Sequence, residues 1–317
     1  MTQRNLKLLI VTFIITTLSS YAQKDVFLFS FFQNNGADGL HLAYSYDGLK
    51  WKALNDNKSF LKPTVGNDKL MRDPCILLGP DNKFHMVWTV SWGEKGIGYA
   101  NSTDLINWSE QQFIPVMEHE PNARNSWAPE IAYDKETEQY IIYWSTTIPG
   151  KYPKTDKTGD DGYNHRMYYT TTKSFKNYSP TKLLYDQGFN VIDGVIVKDK
   201  NEYVMVLKDE TRHPPAKNLK VATAANFIGP YSKPSKPFTN TEYAWAEGPT
   251  VIKHNDYWFV YFDQYDKNSM GGVKTKDWKN FINISDQLSF PKNTRHGTVF
   301  KVPEKYLIEL KKRFESK

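Results

Sequence analysis

Short runs of aromatic and β-branched residues recur along this chain from Val26 onward, each bounded by polar turns. The clearest are Val26 to Phe32, Phe84 to Thr89, Tyr140 to Ser145, Tyr203 to Leu207 and Tyr257 to Phe262, whose length and composition predict strands. Four of them follow a second apolar run and a polar turn, as at Pro80-Asp81-Asn82-Lys83 and His254-Asn255-Asp256. After each comes a segment with one pattern: a small or apolar stretch, Ser or Thr, a polar turn, then an aromatic. The closing aromatics are Trp51, Trp108, Tyr178, Tyr231 and Phe281, roughly 50 to 70 residues apart. No helix-length amphipathic pattern falls between them. A unit of about four strands repeated five times predicts an all-β, five-bladed β-propeller. An open β-sandwich is the alternative.

The ends support the count. The run at Val26 has no strand before it in its unit, and Arg295 to Val302 reads as a strand with nothing after it. Pairing the C-terminal strand with the N-terminal three completes a fifth blade and removes the exposed edges. Glu304 to Phe314 reads as a short amphipathic surface helix. A single domain is therefore expected over residues 24–317.

Residues 1–22 read as a leader. Arg4 and Lys7 precede the apolar run Leu8 to Leu18, and Ser20-Tyr21-Ala22 supplies a small-x-small cleavage site. The run is too short to span a bilayer, and no cysteine stands near the cleavage point for lipid attachment. A secreted or periplasmic protein with no membrane span is the expectation.

Composition changes the picture in three places. Aromatics make up 15% of the 317 residues, high enough to fit a β-rich, ligand-facing protein. The one cysteine, Cys75, rules out an intrachain disulfide framework and a cysteine zinc cluster. The net charge of +6 is spread along the chain except for Lys311-Lys312-Arg313, which gives nucleic-acid binding little support. Nothing implies a protein partner.

In a propeller the first strand of each blade lines the axis. Aligning these strands on their Pro or Gly sets Asp73-Pro74, Ala128-Pro129, Asp193-Gly194, Glu247-Gly248 and His296-Gly297 in one column. Four blades then carry an ionisable group at one register, and the remaining one has Glu130 two residues on, on the same face. Carboxylates are depleted in strands and repel one another around an axis. Such an arrangement serves chemistry or a cation. Glycoside hydrolysis fits: one carboxylate activates water, a protonated carboxyl serves the leaving oxygen, and a third acid adjusts the second. A Gly-rich phosphate loop, an HExxH pattern and a GxSxG elbow are all missing.

At Arg72-Asp73-Pro74, Trp127-Ala128-Pro129-Glu130, Ile192-Asp193-Gly194 and Ala246-Glu247-Gly248-Pro249 the chain resembles glycoside hydrolase family 43. These are the five-bladed propeller hydrolases of arabinose- and xylose-containing glycans. The resemblance implies that Asp73 is the general base, Glu247 the general acid, and Asp193 the group that tunes and holds the acid. It also implies a water or cation, such as structural Ca²⁺, on the axis near His296, with no cofactor required. The chain departs from the family pattern at Glu130, where Asp is usual, and at Gly194, where Pro is usual. Nearly a whole blade also precedes Asp73. That feature resembles the retaining fructan-hydrolase propellers, in which Asp38 would be the nearby candidate nucleophile, though their Asn-Asp-Pro motif is missing.

Trp92, Trp127 and Trp245 are candidate sugar-stacking walls, with blade packing as the bland alternative. Glu130 is either axial structure or a substrate contact. Arg166, entering a strand after the polar loop from Lys151 to Asp161, is either a substrate contact or a solvated surface residue. The expected substrate is an oligo- or polysaccharide. The alternatives are a carbohydrate-binding propeller without turnover, and phosphorolysis, for which no Arg/Lys cluster is visible in the sequence.

Overall fold

The computed structural model describes residues 24–240, 242 and 244–314. The expected leader lies outside them. Blade I holds β1 (Asp25–Phe31), β2 (His41–Ser45) and β3 (Lys52–Ala53). Blade II holds β4 (Arg72–Leu78), β5 (Phe84–Thr89), β6 (Ile97–Ser102) and β7 (Gln112–Ile114). Blade III holds β8 (Trp127–Asp134), β9 (Gln139–Thr147), β10 (His165–Thr172) and β11 (Lys182–Tyr185). Blade IV holds β12 (Val191–Asp199), β13 (Glu202–Asp209) and β14 (Asn218–Ala224), and blade V β15 (Glu247–His254), β16 (Tyr257–Gln264), β17 (Ser269–Thr275) and β18 (Phe281–Asn283). The last strand, β19 (Gly297–Pro303), pairs antiparallel with β1 to make the sheet β19-β1-β2-β3, so the ring closes as expected.

Blade IV has three strands rather than four. Where the fourth would lie, the N–H groups of Ser232, Ser235 and Phe238 still bond to Thr223, Val221 and Leu219. Pro230, Pro234 and Pro237 have no N–H to offer, and the hydroxyls of Ser232, Ser235 and Thr239 accept the N–H groups of Thr223, Val221 and Leu219. Prolines confine such a segment to an outer edge.

The core is five clusters, one between each pair of neighbouring blades. Each closing aromatic packs toward the preceding blade. Trp51 joins the blade V–I cluster, Trp108 the I–II, Tyr178 the II–III, Tyr231 the III–IV and Phe281 the IV–V. The helix α1 (Glu304–Phe314) buries Leu307 and Leu310 against blade I, with Glu304 in its first turn and Lys311, Lys312 and Arg313 in its last. That charge order complements the helix dipole. Among the described residues no helix is long and apolar enough to cross a membrane.

The inner strands carry the feature that builds the site. The β4–β5, β8–β9, β12–β13 and β15–β16 pairings all break register near the start of the inner strand. At each break one residue takes positive φ: Asp73 (51°), Ala128 (47°), Asp193 (52°) and Gly248 (54°). These are β-bulges, which bend a strand and re-aim its side chains. They also correct the expected column. Asp73 and Asp193 share the bulge position, but in blade V it belongs to Gly248, so Glu247 stands one residue earlier, level with Arg72, Trp127 and Ile192. A Cβ on Gly248 would lie 2.2 Å from His296 Cγ, so glycine is required there by contact as well as by φ.

Candidate active site

At one end of the axis the bulges open a cleft of about 370 Å³ lined by Arg72, Asp73, Trp92, Trp127, Asp193, Glu247 and their neighbours. All three expected acids line it. So do four residues that neither the motifs nor the candidate walls contain: Thr89, Glu210, Tyr265 and Arg295.

Asp73 is buried and doubly held. Its Oδ2 accepts a hydrogen bond from Thr89 Oγ1 at 2.8 Å, and Thr89 Oγ1 in turn accepts one from the Ala128 N–H. Its Oδ1 faces His296 Nδ1 at 3.3 Å. Burial alone would raise Asp73, but the charge and hydrogen bond of His296 override it and hold the carboxyl down at about 2. His296 responds in kind: burial would lower it, yet Asp73, with Asp193 and Glu130 behind it, pushes it up to about 9. Near neutral pH the centre of the cleft is therefore an imidazolium–carboxylate pair.

Asp193 accepts the Gly248 N–H at 3.0 Å. Burial, reinforced by the negative charges of Glu247 and Asp73, pushes it up to about 6 against His296 and Lys208. Glu247 is gripped from both sides, by Lys208 Nζ at 3.0 Å on Oε2 and Arg295 Nη2 at 3.4 Å on Oε1. Lys208 is itself buried and also pairs with Glu210, while Arg295 donates through Nε to Asp263 at 2.6 Å. The register explains this support. Thr89, Ser145, Lys208 and Asp263 are the second-strand residues opposite the last residue before each bulge. Three of the four brace a charged group of the cleft, on the same blade for Thr89 and on the next for Lys208 and Asp263.

Several expectations are corrected. Of its two readings Glu130 takes the axial one and is not a substrate contact. The bulge at Ala128 breaks the two-residue alternation, and Glu130 is buried off the cleft, accepting from Cys75 Sγ at 3.1 Å and Thr298 Oγ1 at 3.4 Å. Burial pushes it up to about 7. Arg166 is neither a substrate contact nor solvated. It is 1% exposed, bonded to Asp186, Asn164, Thr155 and the His165 carbonyl, and stacked on Tyr152, so it anchors the 151–164 loop. Trp245 is not a wall of the cleft. It stands behind Tyr265, which is, at 6.0 Å between rings, and carries the cations of Arg212 and Lys217. Trp92 and Trp127 do line the cleft, edge to face at 5.4 Å.

His296 does not fit the metal-ligand expectation. Its Nδ1 is spent on Asp73, and among the described residues no three His, Cys, Asp or Glu side chains form a metal set. A hard cation prefers oxygen donors, and here the imidazolium supplies positive charge among the axial carboxylates. Asp38 is bonded to His41 at 2.9 Å and does not line the cleft, which leaves the retaining alternative without its nucleophile. Arg72 and Arg295 are the cations that line the cleft, with Lys208 buried behind Glu247, and both Lys208 and Arg295 are committed to carboxylates.

The sign of the pH dependence follows. His296, raised above the ~6.5 of an unfolded histidine, contributes stability that is complete below ~6.5 and lost as pH rises through about 9. Asp193, Glu130 and Asp263, raised to about 6, 7 and 6, likewise lose stability as pH climbs from ~4 through those values. Asp73, lowered to about 2, opposes them below ~4, and His165, His85 and His254, which burial lowers, oppose them below ~6.5. Scanning calorimetry should therefore show the melting temperature falling by several degrees between about pH 6.5 and pH 9. A flat or rising profile would contradict the ion pair.

Residues 23–307 match the model of a family described as a probable glycosyl hydrolase domain, related to glycoside hydrolase family 43. The chain is similar to an α-L-arabinofuranosidase of Bifidobacterium longum subsp. longum, 28% identical over 188 residues. That match takes in 52% of this chain and 17% of the relative, so the chain spans under a fifth of the relative's length. Among solved structures it is similar to an α-L-arabinofuranosidase from Lactobacillus brevis (TM-score 0.51, 18% identity, 67% of this chain and 72% of that one). It is also similar to a native Bacillus subtilis arabinanase (0.51, 16%, 70% and 76%). An exo-β-1,3-galactanase from Phanerochaete chrysosporium compares likewise (0.51, 15%, 71% and 53%). At these identities the structural likeness establishes the propeller fold.

Proposed function

The chain belongs to the glycoside hydrolases related to family 43, and from that premise we propose that it releases terminal sugars from glycan side chains with inversion of configuration. The observation that carries this reading is the convergence of Asp73, Asp193 and Glu247, from the inner strands of blades II, IV and V, on one aromatic-walled cleft. Asp73, ionised by its pairing with His296, accepts a proton from the water that attacks the anomeric carbon. Glu247, held by Lys208 and Arg295, gives its proton to the leaving oxygen as the glycosidic bond breaks. Asp193, close enough to feel the charges of both, balances the proton inventory. Water is the only co-substrate in this scheme, and no cofactor enters it.

For the sugar, an α-L-arabinofuranosyl unit is preferred, with β-D-xylosyl or galactofuranosyl next; the arabinofuranosidase likeness over 188 residues supports that order. The leader read at residues 1–22 supports a periplasmic or secreted location. The test is a panel of nitrophenyl α-L-arabinofuranoside, β-D-xyloside and β-D-galactofuranoside, with proton NMR of the first-formed anomer. Turnover with the inverted anomer is the expected result. A retained anomer would remove Asp73 as base, and sugar binding without turnover would make the protein a carbohydrate-binding propeller.

A further inference from the structure

One wall of the cleft continues as a row of aromatic rings and guanidinium groups in contact, the two tryptophans edge to face. The Arg72 guanidinium lies 4.3 Å over Trp92, Trp92 meets Trp127 at 5.4 Å, Trp127 meets Tyr163 at 4.6 Å, and the Arg124 guanidinium lies 4.0 Å over Tyr163. The wall is thus bracketed by two arginines. The other arginines around the cleft are paired: Arg295 with Asp263 and Glu247, Arg212 with Asp160, Arg166 with Asp186. Among the described residues neither Arg72 nor Arg124 forms a close ion pair with a carboxylate, although the charge of Arg72 helps to hold Asp73 down. Arg72 gives one hydrogen bond to Asn35 Oδ1 at 2.9 Å, and Arg124 one to the Asp161 carbonyl at 3.0 Å.

Their geometry limits what they can take. Arg72 is covered by Phe32 at 4.6 Å as well as by Trp92, and Trp92 is pinned through Nε1 to the same Asn35. A guanidinium stacked on aromatic rings has its N–H donors left in the plane, fixed as a fork. A carboxylate matches that fork with two parallel charge-assisted bonds, which a sugar hydroxyl cannot do. Asp68, beside Trp92, is occupied by Ser91 Oγ and the Trp92 N–H. The aromatic faces between the arginines suit the apolar faces of sugar rings.

We infer that the Arg72–Trp92–Trp127–Tyr163–Arg124 wall binds a uronic-acid unit of the glycan, so that the natural substrate is an acidic polysaccharide. This rests on the glycosidase reading and narrows it to a substrate class. The carboxylates of such a chain meet the arginines at the ends of the wall, and its rings lie over Trp92 and Trp127.

Titration calorimetry of the wild-type protein with a trigalacturonide, neutral xylotriose and sulfated xylotriose tests it. The trigalacturonide is expected to bind at least about tenfold more tightly than xylotriose, with the advantage shrinking as salt rises from about 0.05 to 0.5 M. Arg72→Met and Arg124→Met should each cost about tenfold more toward the trigalacturonide than toward xylotriose. Equal binding of the acidic and neutral trisaccharides would overturn the inference, needing no variant that must fold. Tighter binding of the sulfated sugar would replace the uronate with a sulfate ester. Hydrolysis of the nitrophenyl panel by the wild type reports separately on the glycosidase reading, so uronate binding without turnover would sink that reading and not this one.

Discussion

Asp73→Asn is expected to lower kcat by about 10²–10⁴-fold, the worth of a positioned base, while KM moves little. The substitution is close to isosteric, and asparagine tolerates the positive φ of 51° that this bulge imposes. The Thr89 hydroxyl can still donate to the side-chain oxygen, so the local geometry survives. What disappears is the negative charge facing His296 at 3.3 Å. That loss has a second readout. Without Asp73 the main support for the imidazolium is gone, and His296 should titrate well below the present value of about 9. The variant's melting temperature should therefore depend less steeply on pH between about 6.5 and 9 than the wild type's. A variant inactive but with unchanged pH dependence would show that Asp73 acts without His296. An active variant would move the chemistry elsewhere in the cleft.

How far the sequence reached depends on which interactions are periodic. The strand runs, the closing aromatics and the paired chain ends all repeat, and the repeat identified five blades and the seam between β19 and β1. Asp73, Asp193 and Glu247 were legible because the motif at each inner strand is local. The level of Glu247 was not. In Glu247-Gly248-Pro249 either of two residues could take the bulge, and only the backbone shows that Gly248 does, because His296 lies where a side chain would go. Glu130 resolved to the axial of its two readings: it is bonded to Cys75 on β4 and Thr298 on β19, past the bulge at Ala128 and off the cleft. Lys208, Asp263 and Arg295 were missed because their partners lie on other strands, 39, 32 and 48 residues away for the Lys208–Glu247, Arg295–Asp263 and Arg295–Glu247 contacts. A signal did exist. Lys208 and Asp263 each follow directly on an apolar second-strand run, the place where Thr89 ends the run of blade II. Both readings of Arg166 failed because a charge after a polar loop normally faces water or ligand, and here it is buried and pins the loop.

Glu247→Gln is expected to cut turnover of a poor leaving group by about 10²–10⁴-fold, and that of an activated aryl glycoside far less. The asymmetry follows from what a general acid does. An alkoxide leaving from a sugar–sugar bond needs a proton as the bond breaks, whereas a dinitrophenolate leaves as a stable anion. Glutamine keeps one oxygen, enough for Lys208 or Arg295 but not both, turns an NH2 toward the other, and has no proton to give. Lys208 is the sensitive partner. It is 1% exposed and is left with Glu210 as its charged neighbour, and burying a cation with fewer anions costs stability. A fall in melting temperature should accompany the kinetic defect without causing it. The two are separated by the ratio of rates on dinitrophenyl and alkyl glycosides, which a folding defect leaves unchanged because it scales both alike. If the ratio stays at its wild-type value, Glu247 holds the substrate and another group supplies the proton. Asp193, pushed up to about 6 and bonded to the Gly248 N–H, would then be the carboxyl to substitute next.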